Sequence, residues 1–187
     1  MRPAQWSRRR RVRNPLGALA VLAAIGLVAV IVAVLQPPGP VLSGNATAVD
    51  GDTLRLGATR IRLVGLDAVE RGQTCTAPQQ DWACGEEASR FLAAAVAGRT
   101  TTCRSDGRDR YGRVLARCTA GAGDLGEAVV RAGWATADLE YALALADARL
   151  NRRGIWAGRF DDPADWRRAH SGEGDDFWAW LASVLGR

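Results

Sequence analysis

No lysine occurs in the 187 residues, so all 25 basic side chains are arginine. That absence removes lysine Schiff-base chemistry and the lysine of phosphate-binding loops. Histidine is nearly missing too: His170 stands alone near the end of the chain, which excludes multi-histidine metal sites. No acid precedes Asp50, whereas Arg2, Arg8, Arg9, Arg10, Arg11 and Arg13 crowd the start. The other 19 arginines face 20 acids, so the pI near 9.7 belongs to the N-terminal tail and does not by itself argue for a polyanionic substrate. None of the cysteine gaps is C-x-x-C, which leaves little room for a zinc ribbon or a thioredoxin-type redox pair.

Charge is also missing from the 21 residues Pro15 to Leu35, a run long enough as a helix to cross the hydrocarbon core of a bilayer. Arginines before it and none closely after it predict, by the positive-inside rule, a cytoplasmic tail over 1–14 and a transmembrane signal anchor over 15–35. The remainder is then extracytoplasmic, on a bacterial-type cell membrane. The alternative is secretion after signal cleavage, but the run is longer than a signal-peptide core and no good A-x-A site follows it. Cys75, Cys84, Cys103 and Cys118 all fall on the exported side, where disulfides persist. Four cysteines allow three pairings. Cys75 with Cys84 closes a short loop beside a helix start, and Cys103 with Cys118 joins the arms of a hairpin, so these two bridges are expected.

What remains is enough for one domain. Residues 36–45, with three prolines and two glycines, read as a linker, and the domain is expected over 46–168. Short strands are expected at Ala46 to Val49, Thr53 to Leu56, Arg60 to Leu66, Thr100 to Arg104 and Arg113 to Thr119. Helices are expected where Ala88, Phe91, Leu92, Ala95 and Val96 keep helical spacing, from an Asp124 and Glu127 cap to Gly133, and along Leu139, Leu143, Ala146 and Leu150. Five strands and three helices make an α+β domain, most economically a five-stranded OB-fold barrel. Residues 169–187 then form a second linker and an amphipathic helix carrying Phe177, Trp180, Leu181, Val184 and Leu185.

The chemistry concentrates in DGDTLRLGATRIRLVGLDAVE, residues 50–70. Asp52 and Asp67 stand at strand ends, and two carboxylates with a backbone carbonyl suit Ca²⁺. Glu70, three residues past Asp67, is close enough to orient a water and take its proton. Arg62 and Arg113 offer planar forks that match two phosphate oxygens. Such parts suit phosphodiester hydrolysis.

VDGDTLRL, RIRLVGLDAVE, CGEEA, DRYGRVLA and VVRAGWA stand in the order found in the thermonuclease family, the micrococcal-nuclease-like enzymes built on an OB-fold, and the chain resembles that family from about Ala46 to Trp166. The resemblance implies Ca²⁺ on Asp52, Asp67 and the Ala68 carbonyl, Glu70 as general base, and Arg62 and Arg113 as catalytic clamps on the phosphate. It further implies that Tyr111 and Tyr141 line the nucleotide pocket; Arg110 is expected to help grip the substrate. Val69 departs from the family, which usually has proline there. The expected function is a membrane-anchored, Ca²⁺-dependent nuclease acting on DNA or RNA with little sequence specificity. The rivals are a catalytically inactive OB-fold module that binds nucleic acid at the envelope, and a structural envelope protein.

Overall fold

The computed structural model describes residues 15–35, 39–77 and 80–170. The arginine tail over 1–14 and the amphipathic stretch beyond residue 170 lie outside them. The chain divides into two compact units, 1–38 and 39–187.

The first unit holds α1 (Pro15–Leu35), a helix of 21 uncharged residues. Its side chains are described over 17–31 and all are exposed. Among the described residues no helix is long and apolar enough to cross a membrane, so the expected span is not established by the structure.

The second unit runs β1 (Val41–Ala48), β2 (Thr53–Leu56), β3 (Thr59–Leu63), β4 (Leu66–Ala68), β5 (Cys75–Thr76), β6 (Asp81–Trp82), α2 (Cys84–Val96), β7 (Thr100–Arg108), β8 (Val114–Ala120), β9 (Gly123–Asp124), α3 (Leu125–Arg131), β10 (Ala135–Ala137), α4 (Ala142–Leu150) and α5 (Pro163–His170). Strand periodicity explains the first hairpin. Leu54 lies opposite Ile61, both fully buried, while Arg55 lies opposite Arg60 on the other face. The hairpin turns at Gly57, whose φ of 59° favours glycine. β1 pairs with β2 and with β7, β7 pairs with β8, and β8 returns to pair with β3 in parallel, Ile61 opposite Val114. That last pairing closes five strands into a barrel with the expected OB-like topology.

Leu54, Ile61, Leu63, Val114 and Ala116 fill the barrel core, joined by Leu92 and Val96 of α2 and Val129 and Val130 of α3. Each of the larger side chains contributes about 1.5–3 kcal/mol by leaving water. A smaller cluster of Val69, Cys75, Cys84, Ala88 and Ile155 lies under the loop after β4. Both expected disulfides are present, Cys75–Cys84 and Cys103–Cys118, and the second joins residues directly opposite on β7 and β8.

Three expectations need correction. The residues read as linker up to 45 end sooner, because β1 begins at Val41 and pairs Val41 with Arg104. The strand expected over 60–66 is two strands: the chain bends at Gly65, φ 78°, and β4 leaves the barrel to pair with β10. A fourth helix of the domain, α5, begins at Asp162-Pro163, where the Asp162 carboxylate accepts from the Ala164 N–H and proline occupies the first helical position.

Candidate active site

The bend at Gly65 brings the acids together. Asp52 follows the Asp50-Gly51 turn, whose Asp50 carboxylate accepts from the Asp52 N–H at 3.1 Å. A Cβ on Gly51 would stand 2.8 Å from the Ala68 Cβ, so glycine lets this turn lie against β4. Asp52 is buried and accepts from Thr53 Oγ1 at 3.0 Å and from the Ala68 N–H at 3.3 Å. Burial pushes its pKa well above the usual carboxylate range, against the pull of the Arg62 guanidinium. Arg62, on β3, bridges two acids through one nitrogen: Nη2 lies 2.9 Å from Asp52 and 2.5 Å from Asp67.

Glu70 is held by its backbone. Its N–H donates to Gln73 Oε1 at 3.1 Å, the Gln73 amide donates to the Asp161 carbonyl at 2.6 Å, and Gln73 is 1% exposed. A Cβ on Gly85 would fall 1.7 Å from the Glu70 carbonyl oxygen, so the first turn of α2 presses directly on this loop. Cys75–Cys84 ties the same loop to α2. Val69, where the family usually has proline, uses its N–H to donate to the Trp134 carbonyl at 3.2 Å and packs in the small core. A hydrogen bond and a buried side chain thus replace the ring constraint.

The turn between β7 and β8 presents Arg110, Tyr111 and Arg113, and Asp109 organises it. Its carboxylate accepts from the Tyr111 and Arg113 N–H groups at 2.9 Å each and from Arg113 Nε at 2.7 Å. Burial works against the Asp109 anion, but these bonds outweigh it and hold its pKa below the usual range. Arg110 and Arg113 both lie over the Tyr111 ring, 4.8 and 5.6 Å from its centroid.

Glu70, Arg62, Arg113, Arg110 and Tyr111 open into one hollow of about 560 Å³, whose wall also includes Asp50, Thr53, Arg60 and Arg167. Of the residues singled out from sequence, Tyr141 is misplaced. It is 8% exposed, its hydroxyl donates to Asp124 at 3.2 Å, and it packs beside Gly65 and Gly126, so it serves the core rather than the pocket.

Sequence reasoning missed Arg167. Its Nη1 and Nη2 grip Asp67 at 2.8 and 2.7 Å, and Nη1 reaches Glu70 at 2.7 Å. The Asp-Pro start of α5 was a legible helix signal, but nothing local says which side chain of that helix meets acids a hundred residues earlier.

Among the described residues no three His, Cys, Asp or Glu side chains are grouped to hold a metal. The pair Asp52 and Asp67 nevertheless fits a hard cation. Both present carboxylate oxygens to one positive nitrogen of Arg62, and the buried Asp52 gains from a nearby positive charge.

The model of staphylococcal nuclease homologues matches residues 60–158. That range includes Arg62, Asp67, Glu70 and Arg113, while Asp52 precedes it and Arg167 follows it. The chain is 36% identical over 121 residues to a succinoglycan biosynthesis protein of Rhizobium meliloti, covering 60% of this chain and 63% of that protein. It is 34% identical over 119 residues to an uncharacterized endonuclease of Escherichia coli, covering 58% and 72% respectively. A probable endonuclease of Schizophyllum commune is 30% identical over 139 residues, covering 62% of this chain and 47% of that protein. With more than half its residues inside the family match and its five strands closed as an OB-like barrel, the chain belongs to the staphylococcal nuclease homologues.

Proposed function

We propose that the chain is a Ca²⁺-dependent nuclease that hydrolyses phosphodiester bonds of DNA or RNA with little sequence specificity. The observation that carries this reading is the opening of Glu70, Arg62 and Arg113 into one hollow beside the exposed Tyr111 ring. Asp52, Asp67 and the Ala68 carbonyl would hold Ca²⁺. When bound, the ion supplies positive charge that offsets charge on the phosphate oxygens. Arg113 and Arg62 present guanidinium donors to the phosphate and stabilise the charge that grows on it. Glu70 accepts a proton from the attacking water as the water oxygen bonds to phosphorus; the ester P–O bond breaks, and the leaving oxygen takes a proton from solvent.

The inactive-module rival is disfavoured because the proposed catalytic and metal-binding side chains are all retained. The deciding experiment gives the full-length chain labelled DNA and RNA with Ca²⁺ or chelator. Chelator-sensitive cleavage above that of Glu70→Gln is expected, and cleavage no greater than that control overturns the reading.

The same proposal places the nuclease outside the cytoplasm, anchored by α1. The support is the 21-residue uncharged helix, whose described side chains are apolar on every face and all exposed, and the arginine-rich tail before it.

A further inference from the structure

The catalytic hollow lacks the aromatic side expected of a nucleotide site. Tyr141 is buried in the core. Among the described residues that line the hollow, Tyr111 is the one aromatic. A second hollow of about 570 Å³ adjoins the first and shares Arg110, Tyr111 and Arg167 with it. Its far wall is α5, with Trp166, Arg168 and His170. Trp166 and His170 form a stacked pair, centroids 4.0 Å apart and planes within 15°.

This wall is fixed to the catalytic loop. Arg167 is bound to Asp67 and Glu70, the buried Gln73 side chain donates to the Asp161 carbonyl just before α5, and Trp166 packs against Gly72. Arginines beside aromatic rings in an open groove are what a single strand requires: charge for the backbone and a π-face for any base.

We propose that α5 builds a second nucleotide subsite, so that a single-stranded substrate lies across both hollows. One nucleotide occupies the catalytic hollow against Tyr111. The base of the next stacks on the Trp166–His170 pair, and the phosphate between them faces Arg110 and Arg167 of the shared wall. Rings read no hydrogen-bond pattern, so the subsite selects for chain length rather than sequence. The inference names the substrate of the nuclease reading and rests on it for the placement of the scissile bond.

The test titrates the full chain, in chelator, with a fluorescently labelled nucleoside 5′-phosphate, which fills one hollow, and a labelled dinucleotide, which spans both, each as DNA and as RNA. KM for the two dinucleotides is then measured with Ca²⁺. Wild type is expected to favour the dinucleotide by about ten-fold or more, and Trp166→Ala and His170→Ala to shrink that ratio by about five-fold or more each. Trp166→Phe, which keeps a ring, should recover most of it, and His170→Ala carries the test if Trp166→Ala fails to fold. A ratio unchanged in every folded variant overturns the subsite even if cleavage is normal. Length-dependent binding that these variants weaken, without chelator-sensitive cleavage, supports the subsite and overturns the nuclease reading. Failure to bind either length in chelator, with no cleavage in Ca²⁺, overturns both. Comparison of the DNA and RNA arms shows which polymer the subsite takes.

Discussion

Glu70 and Arg113 face the same hollow, and the proposed mechanism gives them different duties that substitution separates. On that mechanism Arg113 meets charge that grows in the transition state, so Arg113→Ala should lower kcat by about 10² or more while raising KM less. Glu70→Gln keeps shape and hydrogen bonding but cannot accept the proton, so steady-state assays should show turnover lost while substrate binding persists. Equal effects of Arg113→Ala on both constants would assign it to binding alone. Asp109 holds Arg113 by accepting from its N–H and Nε, and its depressed pKa makes a pH-dependent prediction. A carboxyl whose folded pKa lies below its unfolded value contributes stability above the unfolded pKa, and the contribution is lost as pH falls through the folded one. Thermal melts from pH 6 down to pH 3 should therefore show the Asp109→Asn variant less stable at the upper end, with the gap to wild type closing toward the lower end. A gap that stays constant would mean that Asp109 acts through shape rather than charge.

At the scale of elements, two covalent ties secure the pieces that carry the site. Cys103 and Cys118 lie opposite one another with Cα atoms 4.0 Å apart, on the two strands whose connecting turn presents Tyr111 and Arg113. The bond closes a loop with a sequence separation of 15. Replacing both cysteines with serine should cost about 3 kcal/mol in denaturant unfolding, the chain-entropy value for such a loop. A loss below about 1 kcal/mol would mean that the strand pairing restricts the unfolded chain little differently without the bond. Cys75–Cys84 instead ties the Glu70 loop to α2, where Gly85 leaves no room for a side chain. The elements best seen in the sequence were those with a clear period: β2, β3, and the core face of α2. The short pairing of β4 with β10 was not visible, since three residues carry too little pattern and their partner lies far along the chain.

For the whole molecule, the proposed anchor and nuclease domain together specify a topology. A reporter that is active only outside the cytoplasm, fused after Arg187, should be active in cells, and a reporter that works only inside should be silent. The reverse pattern would sink the proposed orientation. Alkaline extraction of membranes separates an anchored chain from one released by cleavage: retention in the pellet is expected.

Local chemistry was enough for much of this protein. Alternating apolar residues bury one face of a strand whatever the partner, so the hairpin of β2 and β3 followed from Leu54 and Ile61 against Arg55 and Arg60. The clustering of Asp52, Arg62, Asp67 and Glu70 within twenty residues likewise made a shared site legible, as did the cysteines flanking a helix start and a hairpin. Tertiary structure alone decided which arginines meet which acids. Arg167 reaches Asp67 and Glu70 from about a hundred residues away because α5 packs on the loop that carries Glu70, and Tyr141 turns inward because the core has room beside Gly65 and Gly126. An arginine and an aromatic are each at home on the surface, in a pocket or in part of a core. Only the competition of the whole chain for buried space determines which of these they occupy.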